Sequence, residues 1–360
     1  MILQKQTLSD CQPAVFCLTD SASKEDILFF DIETTGFSPK NSSLYLIGAV
    51  YFRQKAWHAI QWLAETPAEE SALLKAFFDF CTTYRILIHF NGEGFDIPYL
   101  AQKARQYHLP FSPSRLESLD LYRRIRTCKA PLKLTHMNQK ALESFLGISR
   151  QDRYTGGKLI DIYHRYTKNP DKTDLQLLLL HNLDDVKGLT KLLPLLSYPA
   201  LFTEHRYTIQ NVSWEDAPDG QPLLFLELAL DVPVPKPHSL DLSFGYLTIH
   251  EGICRLMIHA FEGELKYFLP DYRSYYYLPD QDCAIHKTIA AYTAPSRRMK
   301  ATASTCYQRR YGLFLPQKTA LFTPVFQKSY RDPCLWFECT EQFMNTSGQL
   351  FLYIKSLISF

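Results

Sequence analysis

The chain has 360 residues, a length that predicts two domains. It is 46% hydrophobic and 21% charged, as soluble globular proteins are, and apolar runs such as LQLLLL are far too short to cross a bilayer. The net charge of +2 excludes a basic field over the whole molecule, so a site for a polyanion such as nucleic acid is expected to be local.

The start of the chain and the cysteines indicate the compartment. The sequence MILQKQTLSDCQ turns polar within a few residues and lacks the long apolar stretch of a signal peptide. The nine cysteines are scattered and form no C-x-x-C pair, which argues against a disulfide framework and against a zinc site. We therefore expect a cytoplasmic protein with reduced thiols and no membrane association.

Residues 1–25 are polar and irregular and are expected to form a lead-in to a first domain over residues 26–198. In that domain, β-branched and aromatic runs predict strands, and apolar residues at helical spacing predict helices. The predicted strands are ILFFDI (27–32), LYLIGAVYF (44–52), WHAIQWL (57–63) and RILIHF (85–90). The predicted helices are 67–81, 96–108, 138–147 and 173–197, with a loop at RYTGGKLI (153–160). A strand, a turn and a helix follow one another around NGEG, which indicates a parallel-sheet unit and an α/β fold class.

The sequence changes character after residue 198. Residues 199–360 contain many short alternating runs, among them YTIQNVSW, PLLFLELAL and LFLYIKSLI, which predict strands. One helix is expected near AIHKTIAAY. We therefore predict a second, mainly β (α+β) domain.

Two acids end the first predicted strand. Asp31 and Glu33 are two residues apart, so both side chains point to the same face of the strand. The carboxyl ends of strands in open α/β sheets are where ligands bind. Two like charges held together repel each other unless a cation relieves them, and oxygen ligands suit Mg²⁺ or Mn²⁺.

Two further segments also end an apolar run with an acid. Asp96 follows another strand, close to a helix start, and Asp185 lies in LLLLHNLDDVKGL. His181 precedes Asp185 by four residues, which places the imidazole and the carboxylate on one helical face. Because burying acids is costly, one shared metal site explains all three segments.

These segments resemble a known family. FDIETTG, HFNGEGFD and HNLDDV resemble the three exonuclease motifs of the DEDD, or DnaQ-like, 3′–5′ exonucleases within the ribonuclease H-like fold. His-Asn-x-x-Asp-Val in the third motif is most similar to the YprB-type ribonuclease H-like domain. The resemblance covers residues 27–196 with the motifs in the family's order, and it implies a ribonuclease H-like mixed sheet flanked by helices.

The resemblance also implies roles for individual residues. The implied metal ligands, which are also catalytic, are Asp31, Glu33, Asp96 and Asp185. His181 takes the place of the residue that orients or deprotonates the attacking water, although its spacing to Asp185 is that of the family's tyrosine subclass. The implied substrate-binding residues are Thr34, Asn91 and Asp120, and the lysines placed to hold the nucleic-acid backbone are Lys129, Lys133 and Lys158. Two divalent cations, Mg²⁺ or Mn²⁺, about 3.5–4 Å apart would clamp a phosphodiester.

The resulting hypothesis is a metal-dependent 3′–5′ exonuclease acting on an end of single-stranded DNA or RNA. The alternatives are a non-catalytic nucleic-acid-binding protein with the same fold and a phosphodiesterase acting on oligonucleotides. At the level of residues, Asp-x-Glu after a strand is common by chance, and His181 can be a structural histidine.

In the second domain, basic residues alternate with tyrosines and allow two interpretations. The residues are Arg297, Arg298, Lys300, Arg309 and Arg310 with Tyr307 and Tyr311. They form either a nucleic-acid platform, with phosphate contacts and stacking, or a solvated strand pair beside a tyrosine-rich core. We favour the strand pair.

Overall fold

The computed structural model describes residues 1–18, 23–110, 115–150, 156–218 and 220–360. The chain divides into two units. The first comprises Met1–Ala200 with Val232–Lys236, and the second comprises Leu201–Asp231 with Pro237–Phe360.

The first unit is built on a six-stranded mixed sheet. Its strands are β1 (Ile2–Leu8), β2 (Ile27–Thr34), β3 (Leu44–Arg53), β4 (Ala56–Leu63), β5 (Ile86–His89) and β6 (Glu117–Asp120). Their order across the sheet is β1-β4-β3-β2-β5-β6. The first four are antiparallel neighbours, whereas β5 runs parallel to both β2 and β6. The apolar β2 therefore lies inside the sheet, with a partner on each side.

Helices cover both faces of this sheet. The helices that share a core with it are α1 (Glu70–Cys81), α2 (Asp96–Gln106), α5 (Gly156–Lys168) and α6 (Lys172–Leu192). The others in this part of the chain are α3 (Leu121–Ile125), α4 (Gln139–Phe145) and α7 (Ser197–Phe202). On one face, Phe30 and Ile32 of β2 share a core with α1 and α2. On the other face, Leu46 of β3 shares a core with α5 and α6. The predicted fold class is confirmed.

A β-bulge lies where the acids leave the sheet. Glu33 pairs with Leu46 and Thr34 pairs with Leu44, so Tyr45 is an extra residue in β3. The Tyr45 ring stacks on that of Tyr163, with 4.2 Å between the ring centroids. The extra residue of β3 thus packs on the face of the sheet that α5 covers.

The second unit is mainly β, as predicted. Its strands are β7 (Tyr207–Asp216), β8 (Pro222–Leu230), β9 (His238–Leu242), β10 (Gly245–His250), β11 (Ile253–His259), β12 (Phe261–Phe268), β13 (Tyr275–Leu278), β14 (Cys283–His286), β15 (Met299–Lys300), β16 (Tyr307–Gln317) and β17 (Leu335–Glu338). They form three sheets in the orders β7-β8-β11-β10-β9, β12-β16-β17 and β14-β13-β15. The helices are α8 (Lys287–Ala290), α9 (Glu341–Asn345) and α10 (Ser347–Ile358).

Three local predictions are wrong. Residues 2–8 of the supposed lead-in form the edge strand β1, whose mostly exposed side chains conceal its backbone pairing with β4. LFLYIKSLI belongs to the helix α10, in which Leu350, Tyr353 and Ile354 are buried at helical spacing. The predicted loop 153–160 is helical from Gly156 onward, and its earlier residues lie outside the described part.

Among the described residues, none of the helices is both long enough and apolar enough to cross a membrane.

Gly48 allows α6 to approach the sheet closely. It pairs with Asp31 across β2 and β3, and the buried side chain of Asn182 lies directly over it. A Cβ atom at Gly48 would stand 2.0 Å from Asn182 Oδ1. Gln61 Nε2 donates to that same oxygen at 3.0 Å, which leaves the amide little freedom to move away.

We therefore expect Gly48→Ala to destabilise the protein by roughly 1–3 kcal/mol, because the added methyl overpacks a buried contact. Thermal and urea unfolding measure this loss. The matched control is Gly157→Ala, where a Cβ meets open space. Equal stability of the two variants would contradict the close packing.

Candidate metal centre

β2 presents two carboxylates to the face of the sheet that α6 covers. Asp31 pairs with Gly48 and Glu33 pairs with Leu46, so both share the face on which Asn182 packs. Alternation along the strand sends Phe30 and Ile32 to the opposite core. The predicted common face of Asp31 and Glu33 is thus present.

α6 brings an imidazole and a third carboxylate to the same place. His181 and Asp185 are one turn apart, and His181 Nε2 lies 3.1 Å from Asp185 Oδ2. The same nitrogen lies 3.5 Å from Glu33 Oε1. One ligand atom from each of these three residues lies within 4.8 Å of the other two, which is close enough for a shared metal ion.

Asp31 lies at the electrostatic centre of the site. Burial raises the pKa of its carboxyl well above the ordinary value, and the neighbouring Asp185, Glu33 and Asp96 raise it further. Asn182 Nδ2 donates to Asp31 Oδ2 at 3.4 Å. A bound cation would stabilise the ionised form of a carboxyl that lies among three others.

Asp96, at the start of α2, is the fourth acid of the site. It is the first residue of α2 and is 6% exposed. Burial raises the pKa of its carboxyl to about 7, against the pull of the backbone amides of Asp96 and Ile32. The contact with the Ile32 backbone places this carboxyl beside β2.

An arginine that sequence reasoning missed enters the site from the segment between α4 and α5. Arg150 Nη1 donates to Asp185 Oδ1. The same guanidinium pairs with Glu143 through Nε to Oε2 and, at 2.8 Å, through Nη2 to Oε1. These contacts and the surrounding carboxylates raise the pKa of Arg150 further above its ordinary value.

The predicted substrate-binding residues lie around the turn between β5 and α2 and at the end of β2. Asp120 is buried, and its carboxylate accepts from the backbone N–H groups of Asn91 at 2.9 Å, Glu93 at 3.2 Å and Arg123 at 3.2 Å. Asn91 has a positive φ of 59° in this turn, and Thr34 Oγ1 donates to the carbonyl of Gly36. Asp120 thus holds the turn that leads to Asp96.

The basic residues predicted to contact nucleic acid differ in their surroundings. Lys129, Lys133 and Lys158 are exposed. In the second unit, Arg297, Arg309 and Arg310 form ion pairs with Asp280, Glu264 and Glu338 respectively. Arg298 lies over the Tyr276 ring, Lys300 is exposed, Tyr307 donates to Asp282, and Tyr311 is 70% exposed. Neutralised arginines favour the solvated strand pair over a phosphate-binding platform.

Four residues that sequence reasoning missed contact the acids directly or through one another: Asn182, Gln61, Arg150 and Glu143. Asn182 belongs to the motif HNLDDV, but only the structure shows that it donates a hydrogen bond to Asp31. Gln61 orients Asn182, and Glu143 orients Arg150. No spacing rule connects an arginine in an irregular segment to an acid 35 residues later in the chain.

The donor set fits a hard divalent cation. Four carboxylates and one imidazole lie near one another, and burial together with neighbouring carboxylates raises the pKa of both Asp31 and Asp96. Carboxylate oxygens are the ligands that suit Mg²⁺ or Mn²⁺. Glu33 and Asp185 lie close enough to share one ion, with His181 beside them and Asp31 and Asp96 adjacent.

Known proteins resemble the part of the chain that carries these residues. Residues 28–197 match the family described as the RNase_H superfamily, whereas no curated protein matches the chain. The family B DNA polymerase of Pyrobaculum calidifontis is similar over 69% of this chain and 35% of its own, with 15% identity and a TM-score of 0.39. Exonuclease I of E. coli, in complex with a dT13 oligonucleotide, is similar over 56% of this chain and 54% of its own, with 11% identity and a TM-score of 0.34.

We expect Asp31→Asn to stabilise the protein in the presence of a chelator by about 0.5–2 kcal/mol, because it removes the charge that three carboxylates repel. The asparagine oxygen can still accept from Asn182. Thermal unfolding with and without Mn²⁺ measures the effect, and added Mn²⁺ should stabilise the variant less than the wild type. The exposed Asp161→Asn is the control. A less stable Asp31→Asn protein in chelator would contradict the repulsion.

The pKa of Asp96 predicts a pH dependence. The folded protein binds this proton more tightly than the unfolded chain, with a pKa of about 7 against 3.8. The free energy of unfolding of the metal-free protein therefore falls as the pH rises between those values. Asp96→Asn removes this term, so its stability relative to the wild type should increase from pH 5 to pH 8 in urea unfolding with chelator. A difference that stays constant with pH would contradict the shift.

Proposed function

Because residues 28–197 form a ribonuclease H-like domain of the RNase_H superfamily, we propose that the protein is a metal-dependent nuclease. The reaction is hydrolysis of the phosphodiester bond at the 3′ end of single-stranded DNA or RNA. The catalytic residues are Asp31, Glu33, Asp96, His181 and Asp185.

One observation carries this proposal. Glu33, His181 and Asp185 cluster beside Asp31, and Asp96, from a third segment, lies near enough to Asp31 to raise the pKa of its carboxyl. Burial, and then repulsion by the other carboxylates, raises the pKa of Asp31, so a charged Asp31 weakens the folded protein unless a cation binds there. A fold that only binds nucleic acid has no need of such a cluster, because phosphate is repelled by carboxylates.

The residues divide the chemistry among them. The acids Asp31, Glu33, Asp96 and Asp185 would hold two Mg²⁺ or Mn²⁺ ions once a nucleic-acid phosphate is present. When bound, such ions lower the pKa of water and neutralise charge on the phosphate and on the leaving oxygen.

His181 is placed to handle the proton of the attacking water. A histidine changes charge near neutral pH, so it can accept a proton there. Its Nε2 lies 3.1 Å from Asp185 Oδ2 and 3.5 Å from Glu33 Oε1, so the ring stands beside two of the proposed metal ligands. Thr34 and Asn91, at the end of β2 and in the turn before α2, would line the strand of the substrate.

The test is degradation of 5′-labelled single-stranded DNA and RNA, with Mg²⁺ or Mn²⁺, by the wild type and by Asp31→Asn. We expect products that shorten stepwise from the 3′ end and that require the metal. Asp31→Asn should lower the rate by more than about 100-fold, because even residues that only support metal ligands contribute 10–100-fold. Asp161→Asn, purified identically, should retain full activity.

The alternatives predict other outcomes in the same assay. A non-catalytic protein would bind the strands in a salt-sensitive manner, cleave nothing, and lose no binding in Asp31→Asn. A phosphodiesterase for short oligonucleotides would cleave dinucleotides and trinucleotides but leave strands of 20 or more nucleotides intact. A length series separates it from the exonuclease.

A further inference from the structure

Arg150 places a permanent positive charge inside the acidic site. Its Nη1 atom contacts Asp185 Oδ1, and its side chain is 10% exposed. The charge also reaches Asp31, whose pKa it lowers against the effect of the other carboxylates. The site therefore contains a cation of its own.

Asp185 is shared between two partners as a result. Oδ1 is bound by Arg150, whereas Oδ2 lies 3.1 Å from His181 Nε2. A divalent cation held by Glu33 and Asp185 meets a carboxylate that is already paired with Arg150 on one side. Arg150 and a divalent cation would thus compete for the Asp185 carboxylate.

Glu143 limits how strongly Arg150 can bind Asp185. It is 1% exposed, and it takes both Nε and Nη2 of the guanidinium. Gln139 Nε2 donates to Glu143 Oε1 at 3.0 Å and to the carbonyl of Asp185 at 2.8 Å. Glu143 therefore holds the guanidinium in place and offsets part of the positive charge that it presents to Asp185.

The fold makes room for this pair. Gly188 lies on α6 where Glu143 approaches, and a Cβ atom there would stand 2.0 Å from Glu143 Oε1. A larger residue would displace the carboxylate that orients the arginine. The ion pair is therefore packed against the helix that carries His181 and Asp185.

We propose that Arg150 and Glu143 together set the metal affinity of the candidate centre, with Arg150 competing with a divalent cation for Asp185 and Glu143 weakening that competition. The inference rests on the proposed function, because it concerns the metal site on which that function depends. Arg150 acts through Asp185 and is a positioning residue.

The two residues should have opposite effects on Mn²⁺ binding. Arg150→Gln removes the rival cation and leaves the negative Glu143 nearby, so Mn²⁺ should bind at least about 10-fold more tightly. Glu143→Gln frees the guanidinium for Asp185, so Mn²⁺ should bind at least about 3-fold more weakly. A merely structural role predicts weaker binding in both variants.

The measurement is Mn²⁺ binding to the full chain without nucleic acid, by electron paramagnetic resonance of free Mn²⁺ and by calorimetry. The matched control is Arg165→Gln, since Arg165 also pairs with a buried acid, Asp174, at 2.8 Å. Its Mn²⁺ affinity should equal that of the wild type. Unchanged or weaker binding by Arg150→Gln, in a wild type that does bind Mn²⁺, overturns this inference alone.

A second comparison serves if Arg150→Gln fails to fold, because that variant leaves Glu143 buried without its partner. The double variant Glu143→Gln/Arg150→Gln carries the same arginine change without a buried orphan charge. It should bind Mn²⁺ at least about 10-fold more tightly than Glu143→Gln. Equal affinities of these two overturn the inference, as does a wild type that binds no Mn²⁺ without nucleic acid. A wild type that also binds no Mn²⁺ in the presence of single-stranded DNA overturns the proposed function as well.

Discussion

Repulsion between carboxylates is the interaction around which the first unit is organised. Asp31 lies among three other acids on a sheet face that α6 closes off from water, and the pKa of its carboxyl is raised accordingly. Such a cluster opposes folding, so it persists only where the surrounding structure holds it. The hydrophobic cores on the two faces of the sheet hold the acids together, because they fix β2 and α6 without any contribution from the acids.

Polar contacts behind the acids then set their directions. Asn182, seated over Gly48 and oriented by Gln61, donates to Asp31. Asp120 fastens the turn before α2 through three backbone amides, and so places Asp96 at the start of that helix. Each acid is thus held by an element of the scaffold, which is what a preorganised site for cations and phosphate requires.

Charge is handled differently in the two units. In the first, acids face one another and Arg150 compensates only part of their charge. In the second, Arg309 and Arg310 lie along β16 opposite acids, and Tyr277 and Tyr307 both donate to Asp282. Because charges that are paired at the surface are screened and contribute little, the second unit offers no comparable electrostatic centre among its described residues.

Local periodicity in the sequence determined which side chains share a face. Alternation in β2 put Asp31 with Glu33, and a spacing of four put His181 with Asp185, because both patterns follow from the backbone geometry of one element. Tertiary structure decided which faces meet. It placed Asp31 against Asn182 of α6 and Arg150 against Asp185, and it paired residues 2–8 with β4. Those contacts join residues that are far apart in the chain. Packing and backbone pairing select which residues meet, and no short sequence pattern encodes that choice.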